Sequence, residues 1–263
     1  DWDAVKQLIA QGVAADRAEA AAKAITAGLD MDMVDDVYRE NLEALVESGR
    51  VPEKVLDEAV RRILRVKFRL GLFENPYIEE LPDEQRYLST EARAAARELA
   101  AESMVLLKNR GRTLPVAGDV RRIALMGPMA DNRADLMGSW WGQGEADDVV
   151  TILEGVKAEF AGKARIDYVK GCDFDGGDRS EFARAAAAAR GADLVVLCMG
   201  EKRNWSGENA SRASLALPAI QEEFVREMAR MGRPVVVLLS SGRPVAVRGV
   251  EPAADALVEI WQP

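Results

Sequence analysis

Continuous runs of Val, Leu and Ile alternate with helical segments through the second half of the chain, and this rhythm constrains the fold more than any other feature. Apolar runs without polar alternation are typical of strands buried on both faces of a parallel sheet. Strands are predicted at residues 122–126, 164–169, 193–199, 235–239 and 256–260. Helices are predicted at residues 152–160, 180–189 and 217–229. This pattern indicates an α/β domain whose mostly parallel sheet is covered by helices.

The first part of the chain is helical in pattern. Apolar residues over 3–27 recur at helical spacing, with a break near Gly12 that predicts two short helices. Further helices are predicted over 34–48, where Asp32 is a candidate capping residue, and from Pro52 to Gly71. This is the pattern of an α/β domain that finishes in helices.

A change in composition separates the two parts. Residues 74–88 contain Pro76 and Pro82, several acids and no periodicity, which is typical of a linker. The Ser-Thr-Glu sequence at 89–91 then caps an Ala-rich helix that we expect to run to about Val105. We therefore predict a first domain over 1–73, a linker over 74–88 and a second domain over 89–263.

The composition excludes several classes of chemistry. Because the chain has no histidine, it cannot assemble a Ser-His-Asp triad or a Cys-His pair, and acid–base work falls to carboxylates, Lys, Tyr or Cys. A zinc site would depend on two cysteines and carboxylates, which is not a usual ligand set. Neither a dinucleotide fingerprint nor a Walker loop is present, so we expect no cofactor.

The charge balance bears on partners. With 35 basic and 44 acidic residues the net charge is −9, which has the wrong sign for a protein that binds nucleic acid. No apolar run is long enough to span a bilayer, and no helix face concentrates Lys and Arg, so we expect no membrane contact. Cys198 lies in an apolar run and is expected to be buried, whereas Cys172 follows a glycine in a predicted loop, and a disulfide between them stays open.

Three segments follow the carboxyl ends of predicted strands, where ligands of parallel sheets bind: 127–145, 200–214 and 240–245. The second segment carries Glu201, Glu208, three cationic side chains and a tryptophan. A charged cluster of this kind is most simply a solvated loop, and the alternative of a binding site is supported by its position after a buried strand and by its tryptophan. A carboxylic acid beside an indole can be desolvated, as a general acid requires.

Paired tryptophans, Trp140 and Trp141, lie in a glycine-rich stretch of the first segment. Neighbouring side chains of an extended segment point in opposite directions, which makes a shared place in the core awkward. Indole rings can also stack on the apolar faces of sugars, so a carbohydrate platform and ordinary packing are equal alternatives here. At the other end of the chain, the acidic pair in Asp1-Trp2-Asp3 indicates nothing by itself.

Taken in order, these segments resemble family 3 glycoside hydrolases, specifically the bacterial β-glucosidase branch. None of the motifs is decisive alone, but their order extends over essentially the whole chain. The matching residues are 1–2 with 4–5, 27–33, 60–64, 102–109, 114–115, 127–128, 138–140 and 206–212.

The resemblance implies a fold and a pair of catalytic residues. In this family a (β/α)₈ barrel precedes an α/β sandwich domain, with the active site between them. Residues 1–73 would then be the C-terminal part of the barrel, and 89–263 most of the sandwich. Asp1 resembles the nucleophile of a Ser-Asp-Trp-type motif. Glu208, preferred over Glu201, resembles the general acid/base.

Substrate contacts follow from the same resemblance. Trp2 and Trp140 resemble aromatic residues that flank the aglycone side of the site. We also predict contacts from Trp141, Glu201 and Arg203 of the two loops. The residues with which the family grips the sugar lie upstream of Asp1. We expect the chain to be an internal part of a longer protein, since it starts without Met and ends just after a predicted strand.

The implied function is that of a retaining, exo-acting β-glucosidase, which removes terminal β-linked glucose by double displacement. The two carboxyl groups of such an enzyme are expected about 5–5.5 Å apart. The alternatives are a β-xylosidase or β-N-acetylglucosaminidase of the same family, and a non-catalytic carbohydrate-binding relic. The expected partner is a β-glucoside or oligosaccharide, a homo-oligomer stays open, and the resemblance implies a periplasmic or extracellular protein.

Overall fold

A computed structural model describes residues 1–80, 82 and 87–263. The chain divides into two compact units, Asp1–Asp83 and Glu84–Pro263. The predicted linker over 74–88 falls partly on residues 81 and 83–86, which lie outside the described residues, and its boundaries stay a prediction. None of the helices in the described ranges combines the length and apolar character needed to cross a membrane.

The described part of the first unit is built from helices. Their bounds are α1 Ala4–Ala10, α2 Arg17–Thr26, α3 Val37–Glu47 and α4 Glu53–Arg69. The predicted break near Gly12 is confirmed, and α2 begins where the Asp16 side chain accepts a hydrogen bond from the Glu19 N–H at 2.8 Å. The small core of the unit includes Val5, Ile25 and Val37.

The predicted start of α3 at Val34 is wrong by three residues. Val34 and Asp36 have φ angles of 80° and 57°, so the backbone before Val37 is left-handed rather than helical. Asp32 still acts as we predicted, because its Oδ2 accepts a hydrogen bond from the Tyr38 N–H in the first turn at 3.0 Å. The capping side chain therefore reaches the helix from four residues before the cap position.

A six-stranded sheet forms the centre of the second unit, in the order β1-β6-β5-β4-β2-β3. All neighbouring strands are parallel except β1, which pairs antiparallel with β6 at the edge. The strands are β1 Val105–Asn109, β2 Arg122–Met126, β3 Arg165–Val169, β4 Leu194–Gly200, β5 Val235–Ser240 and β6 Ala256–Glu259. The helices are α5 Thr90–Ser103, α6 Arg133–Leu136, α7 Ile152–Glu159, α8 Phe182–Arg190 and α9 Ala219–Ala229. The five predicted strands are confirmed to within one residue at each end.

The core lies on both faces of this sheet, as the apolar runs predict. In β4, Val195 and Leu197 belong to one buried cluster, and Val196 and Cys198 belong to the other. Cys172 and Cys198 are free, buried thiols, so the disulfide left open by the sequence is not formed. Burial raises the pKa of the Cys172 thiol to about 12.

Strand β1 is an element that the sequence did not reveal. We expected α5 to continue to about Val105, but the helix ends at Ser103 and the chain turns into an edge strand. Val105, Leu106 and Leu107 are all exposed in this structure. Strand β1 lies at the edge of the sheet and lacks the buried apolar run of a central strand. Its apolar and polar side chains do not alternate clearly either, because its register shifts between Leu106 and Lys108.

Candidate active site

The three predicted loops meet at the carboxyl edge of the sheet. Ser139 of the first loop and Ser206 of the second lie with their hydroxyl oxygens 3.0 Å apart. The Arg203 N–H donates to Asp135 Oδ1 at 2.8 Å, a second link between these loops. The third loop is equally close, since a Cβ added to Gly242 would lie 2.1 Å from Ser206 Oγ. The three segments selected from the sequence therefore lie together at this edge of the sheet.

A buried amide fixes the point where the second loop leaves β4. Gln221 of α9 is fully buried, and its side-chain oxygen accepts from the Gly200 N–H at 2.9 Å. Its side-chain nitrogen donates to the carbonyl oxygens of Gly200 and Phe174, both at 2.8 Å. Gly200 has no room for a side chain, because a Cβ would lie 2.0 Å from the Ser240 carbonyl oxygen. The start of the loop is thus held on two sides.

Residues 201–212, which we call the Glu208 loop, are closed by an ion pair. Glu201 Oε1 lies 2.5 Å from Arg212 Nη1 and joins the two ends of the loop. The other Glu201 oxygen lies 3.5 Å from Arg243 Nε of the third loop. Our prediction placed Glu201 against substrate, but here its side chain has no exposed surface and faces two guanidinium groups.

Arg243 also holds the middle of the Glu208 loop. Its Nη2 donates to the carbonyl oxygen of Trp205 and to that of Ala210, the latter at 3.2 Å. These two carbonyl groups lie on either side of Glu208 in the chain. One side chain from a different loop therefore fixes the backbone before and after the candidate acid.

Trp205 of the same loop is half-buried and packs against one of the core clusters of the sheet. Its ring lies 4.8 Å from the Arg212 guanidinium carbon and 5.2 Å from Lys202 Nζ. Phe174 contacts it edge-on, with ring centroids 6.3 Å apart. Trp205 is thus a structural support of the loop, and the cationic groups on its ring add modestly to stability.

The Glu208 side chain is exposed at a cavity of about 310 Å³. The cavity is lined by Ser139, Trp140, Trp141, Arg203, Asn204, Ser206, Glu208 and Ala210. Within the part of the chain that the structure describes, no group forms a hydrogen bond or ion pair with the Glu208 carboxyl. Gly207 lets the loops approach, because its φ is 96° and a Cβ there would lie 2.8 Å from Ser139 Cβ. The carboxyl group is consequently free to meet a ligand.

The paired tryptophans differ in their surroundings. Trp140 is 75% exposed, and Trp141 is 43% exposed. The Arg203 guanidinium carbon lies 4.9 Å from the centre of the Trp141 ring and covers one of its faces. Of the two side chains, Trp140 therefore offers the more open ring as a platform, while Trp141 and Arg203 form a stacked wall.

A second buried carboxyl group, Glu259, lies at the end of β6. Burial raises its pKa to about 7, although its Oε1 accepts from the Trp261 N–H at 2.9 Å and from Ser241 Oγ at 3.2 Å. The negative charge of Glu201 adds to the rise. The edge of the sheet beneath the loops thus holds a carboxyl group that titrates near neutral pH.

The candidate residues of the first unit lie at its start. Asp1 and Trp2 are exposed, and Asp1 Oδ1 accepts from the Trp2 N–H at 2.7 Å. The Asp3 N–H donates to the Met33 carbonyl oxygen at 3.1 Å, which places the Asp1-Trp2-Asp3 segment beside residues 30–33. In that neighbouring segment Asp30 pairs with Arg62, at 2.6 Å. These contacts fix the backbone that carries Asp1.

The carboxyl edge of the sheet thus carries a carboxylic acid and two indole rings around one cavity, a set of side chains suited to contact with carbohydrate. The comparisons are specific. Residues 104–263 match the glycosyl hydrolase family 3 C-terminal domain, and residues 1–66 match the glycosyl hydrolase family 3 N-terminal domain. The chain therefore belongs to glycoside hydrolase family 3, and the predicted α/β fold class is confirmed.

Individual relatives have related activities. The chain is 38% identical to a periplasmic beta-glucosidase of Salmonella typhimurium over 99% of its length and 37% of the relative's. It is 31% identical to a beta-xylosidase of Formosa agariphila, over 95% of its length and 36% of the relative's. It also resembles the beta-glucosidase from Listeria innocua in complex with glucose, with a TM-score of 0.89, 37% identity and coverage of 100% and 36%. The chain thus spans little more than a third of these relatives.

Several residues that organise the site escaped the sequence analysis. Gln221 occupies a buried position on α9 where the helical pattern predicts an apolar side chain. A polar residue at such a position indicates a buried hydrogen-bonding role, and this signal was present in the sequence. Arg243 lay within a predicted ligand-binding loop but had no motif of its own. Glu259 was counted only as part of a strand, although a charged residue at the end of a buried run is unusual.

Proposed function

We propose that the complete gene product is a retaining, exo-acting β-glycosidase of the β-glucosidase type, with Glu208 as its general acid/base. The observation that carries this proposal is the place of Glu208: an exposed, unpaired carboxyl group in a cavity walled by Trp140, Trp141 and Arg203. An acid in this place can reach a glycosidic oxygen, and an open indole ring beside it suits the apolar face of a sugar. The domain boundaries at 73 and 89 belong to the same proposal.

Asp1 is the proposed nucleophile. Its carboxylate would attack the anomeric carbon and form a glycosyl ester, while Glu208 gives its proton to the departing glycosidic oxygen. Glu208, now ionised, would then take a proton from a water molecule that displaces Asp1 and releases the sugar with its original configuration. This reaction requires the two carboxyl groups to come within about 5–5.5 Å in the closed enzyme. Trp2, as an exposed neighbour of Asp1, is proposed to contact the aglycone.

Glucose is the proposed sugar. The Salmonella relative is named a beta-glucosidase, and the Listeria enzyme was solved with glucose. The Formosa relative, named a beta-xylosidase, makes xylose the second candidate. The name of the Salmonella relative also supports a periplasmic location. The proposed partner is therefore a β-glucoside or an oligosaccharide that ends in β-linked glucose.

The test is an assay of the complete gene product on nitrophenyl β-glucoside, β-xyloside and β-N-acetylglucosaminide side by side. We expect the glucoside to have the highest kcat/KM and the product to keep the β configuration at first release. Asp1→Asn should abolish turnover, and Glu208→Gln should lower it strongly. Unchanged turnover in both variants would remove the catalytic assignment and leave a carbohydrate-binding protein as the better account.

A further inference from the structure

The strongest feature outside the proposed catalytic pair is the buried charge cluster beneath the Glu208 loop. Glu201 has a fully buried side chain between Arg212 and Arg243, whose side chains are about one-fifth exposed. Ion pairs on a protein surface contribute little, whereas buried charges are costly unless each has a partner. We therefore expect this cluster to determine the geometry of the loop.

The contacts of the cluster show which geometry it controls. The Glu201–Arg212 pair joins residues eleven apart and closes the loop into a ring. Arg243 reaches in from the third loop and binds the Trp205 and Ala210 carbonyl oxygens. Between these anchors lie only Ser206, Gly207, Glu208 and Asn209. The backbone that carries the carboxyl group is thus fixed at both ends, while the side chain of Glu208 stays free.

Glu201 is what keeps Arg243 in this position. The Nη2 atom of Arg243 binds the two carbonyl oxygens, while its Nε lies 3.5 Å from Glu201 Oε2 and makes no hydrogen bond within the described residues. Without the Glu201 carboxylate, Arg212 and Arg243 would lose the negative charge that both face, and their positive charges would repel each other. The pairing of Glu201 with both arginines is therefore the condition for the Arg243 clamp.

We propose that Glu201 and Arg243 are positioning residues that hold Glu208 at the distance from the glycosidic oxygen needed for proton transfer. The proposal rests on the proposed role of Glu208 as general acid. It gives Glu201 a task inside the protein in place of a contact with sugar. Proton transfer requires hydrogen-bond reach, so a loop that shifts by about 1 Å loses acid catalysis while the rest of the site stays intact.

The distinguishing measurement is the dependence of kcat/KM on the leaving group. A dinitrophenolate leaves without a proton, whereas methoxide leaves only with help from an acid. We would compare 2,4-dinitrophenyl β-glucoside with methyl β-glucoside in Arg243→Lys and Glu201→Gln variants of the complete gene product. For each variant we expect kcat/KM on the methyl glucoside to fall about 10- to 100-fold, and that on the dinitrophenyl glucoside to change less than about threefold.

The controls distinguish the positioning role of Glu201 and Arg243 from the proposed function on which it rests. Glu208→Gln should show the same dependence on leaving group in a stronger form, and if it does not, the proposed function fails. If Glu208→Gln shows it but the Glu201 and Arg243 variants do not, only the positioning role fails. Equal losses on both substrates in both variants would also overturn the positioning role, because they indicate loss of folded enzyme. Glu227→Gln and Arg230→Lys change a more exposed ion pair at the C-terminal end of α9 and should alter kcat/KM on neither substrate.

Discussion

The Glu201 carboxylate lies 2.5 Å from the Arg212 guanidinium group, and this pair closes the loop that carries Glu208. The pair differs in kind from the many exposed ion pairs of the chain, because the Glu201 side chain has no accessible surface. Its effect on stability should differ accordingly, and the same contact that shapes the site should be measurable in the unfolding of the protein.

Glu201→Ala should lower the free energy of unfolding by roughly 3–5 kcal/mol, because it removes the paired carboxylate from two largely buried guanidinium groups. Urea unfolding followed by tryptophan fluorescence measures the change. Glu227→Ala, which breaks the exposed pair with Arg230, should cost less than about 1 kcal/mol. Equal losses in the two variants would show that the buried pair contributes no more to the free energy of unfolding than the exposed pair.

Gln221→Leu should destabilise the second unit by roughly 3 kcal/mol or more. The variant keeps the buried volume but leaves the Gly200 N–H, the Gly200 carbonyl and the Phe174 carbonyl without their partner. Each unsatisfied buried group costs about 1–3 kcal/mol. Thermal unfolding would show the loss as a lower Tm. Gln7→Leu, at an exposed position of α1, is the matched control and should leave Tm nearly unchanged. A similar Tm for both variants would contradict the anchoring role of the amide.

Glu259 should make stability depend on pH. Its folded-state pKa is about 7, above an ordinary value of 4.5, so the folded protein binds the extra proton between these limits. The contribution of Glu259 to the free energy of unfolding should therefore be largest below about pH 4.5 and fall by roughly 3 kcal/mol as the pH rises through 7. Glu259→Gln should remove that part of the slope between pH 4.5 and 7. Glu98→Gln, at an exposed position, should keep it, and a slope that survives in Glu259→Gln would assign it to another group.

Trp140 and Trp141 should respond differently to truncation. Trp140→Ala removes an open ring, so we expect unfolding to change by less than about 0.5 kcal/mol and KM for an aryl β-glucoside to rise about tenfold. Trp141→Ala also removes the surface under Arg203, and it should cost about 1–2 kcal/mol of stability. Steady-state kinetics and urea unfolding on the same preparations check both statements. A stability loss in Trp140→Ala equal to that in Trp141→Ala would speak against the exposed platform.

The centre of the sheet could be predicted from the sequence because most of its strands are buried on both faces. The strands β2, β4, β5 and β6 each have an apolar run, and the predicted bounds of these strands and of edge strand β3 differ by at most one residue. Edge strand β1 lacked that signal. The start of α3 was missed because Val34 adopts a positive φ, a conformation that a β-branched residue rarely takes and that no local pattern announces.

The site was predictable only in outline. The rule that ligands bind after the carboxyl ends of parallel strands selected three loops that meet at one edge of the sheet, and the family resemblance selected Glu208 within one of them. The residues that hold the loops came from elsewhere: Gln221 from a helix, Arg243 from a neighbouring loop and Glu259 from the end of a strand. Their roles depend on proximity in space, which spacing along the chain does not encode.

The ring formed by the Glu201–Arg212 pair has a consequence for the way such a site could change. Since the ends of the loop are fixed by charge, and Gly200 is fixed by Gln221, the sheet does not depend on what lies between Gly207 and Ala210. Asn209, which is exposed and has a positive φ, could be exchanged for Asp or Gly at little cost to folding, whereas Glu208 has to stay because it is the proposed acid. A change of aglycone preference could therefore begin at Asn209, provided Glu208 and both anchors are kept.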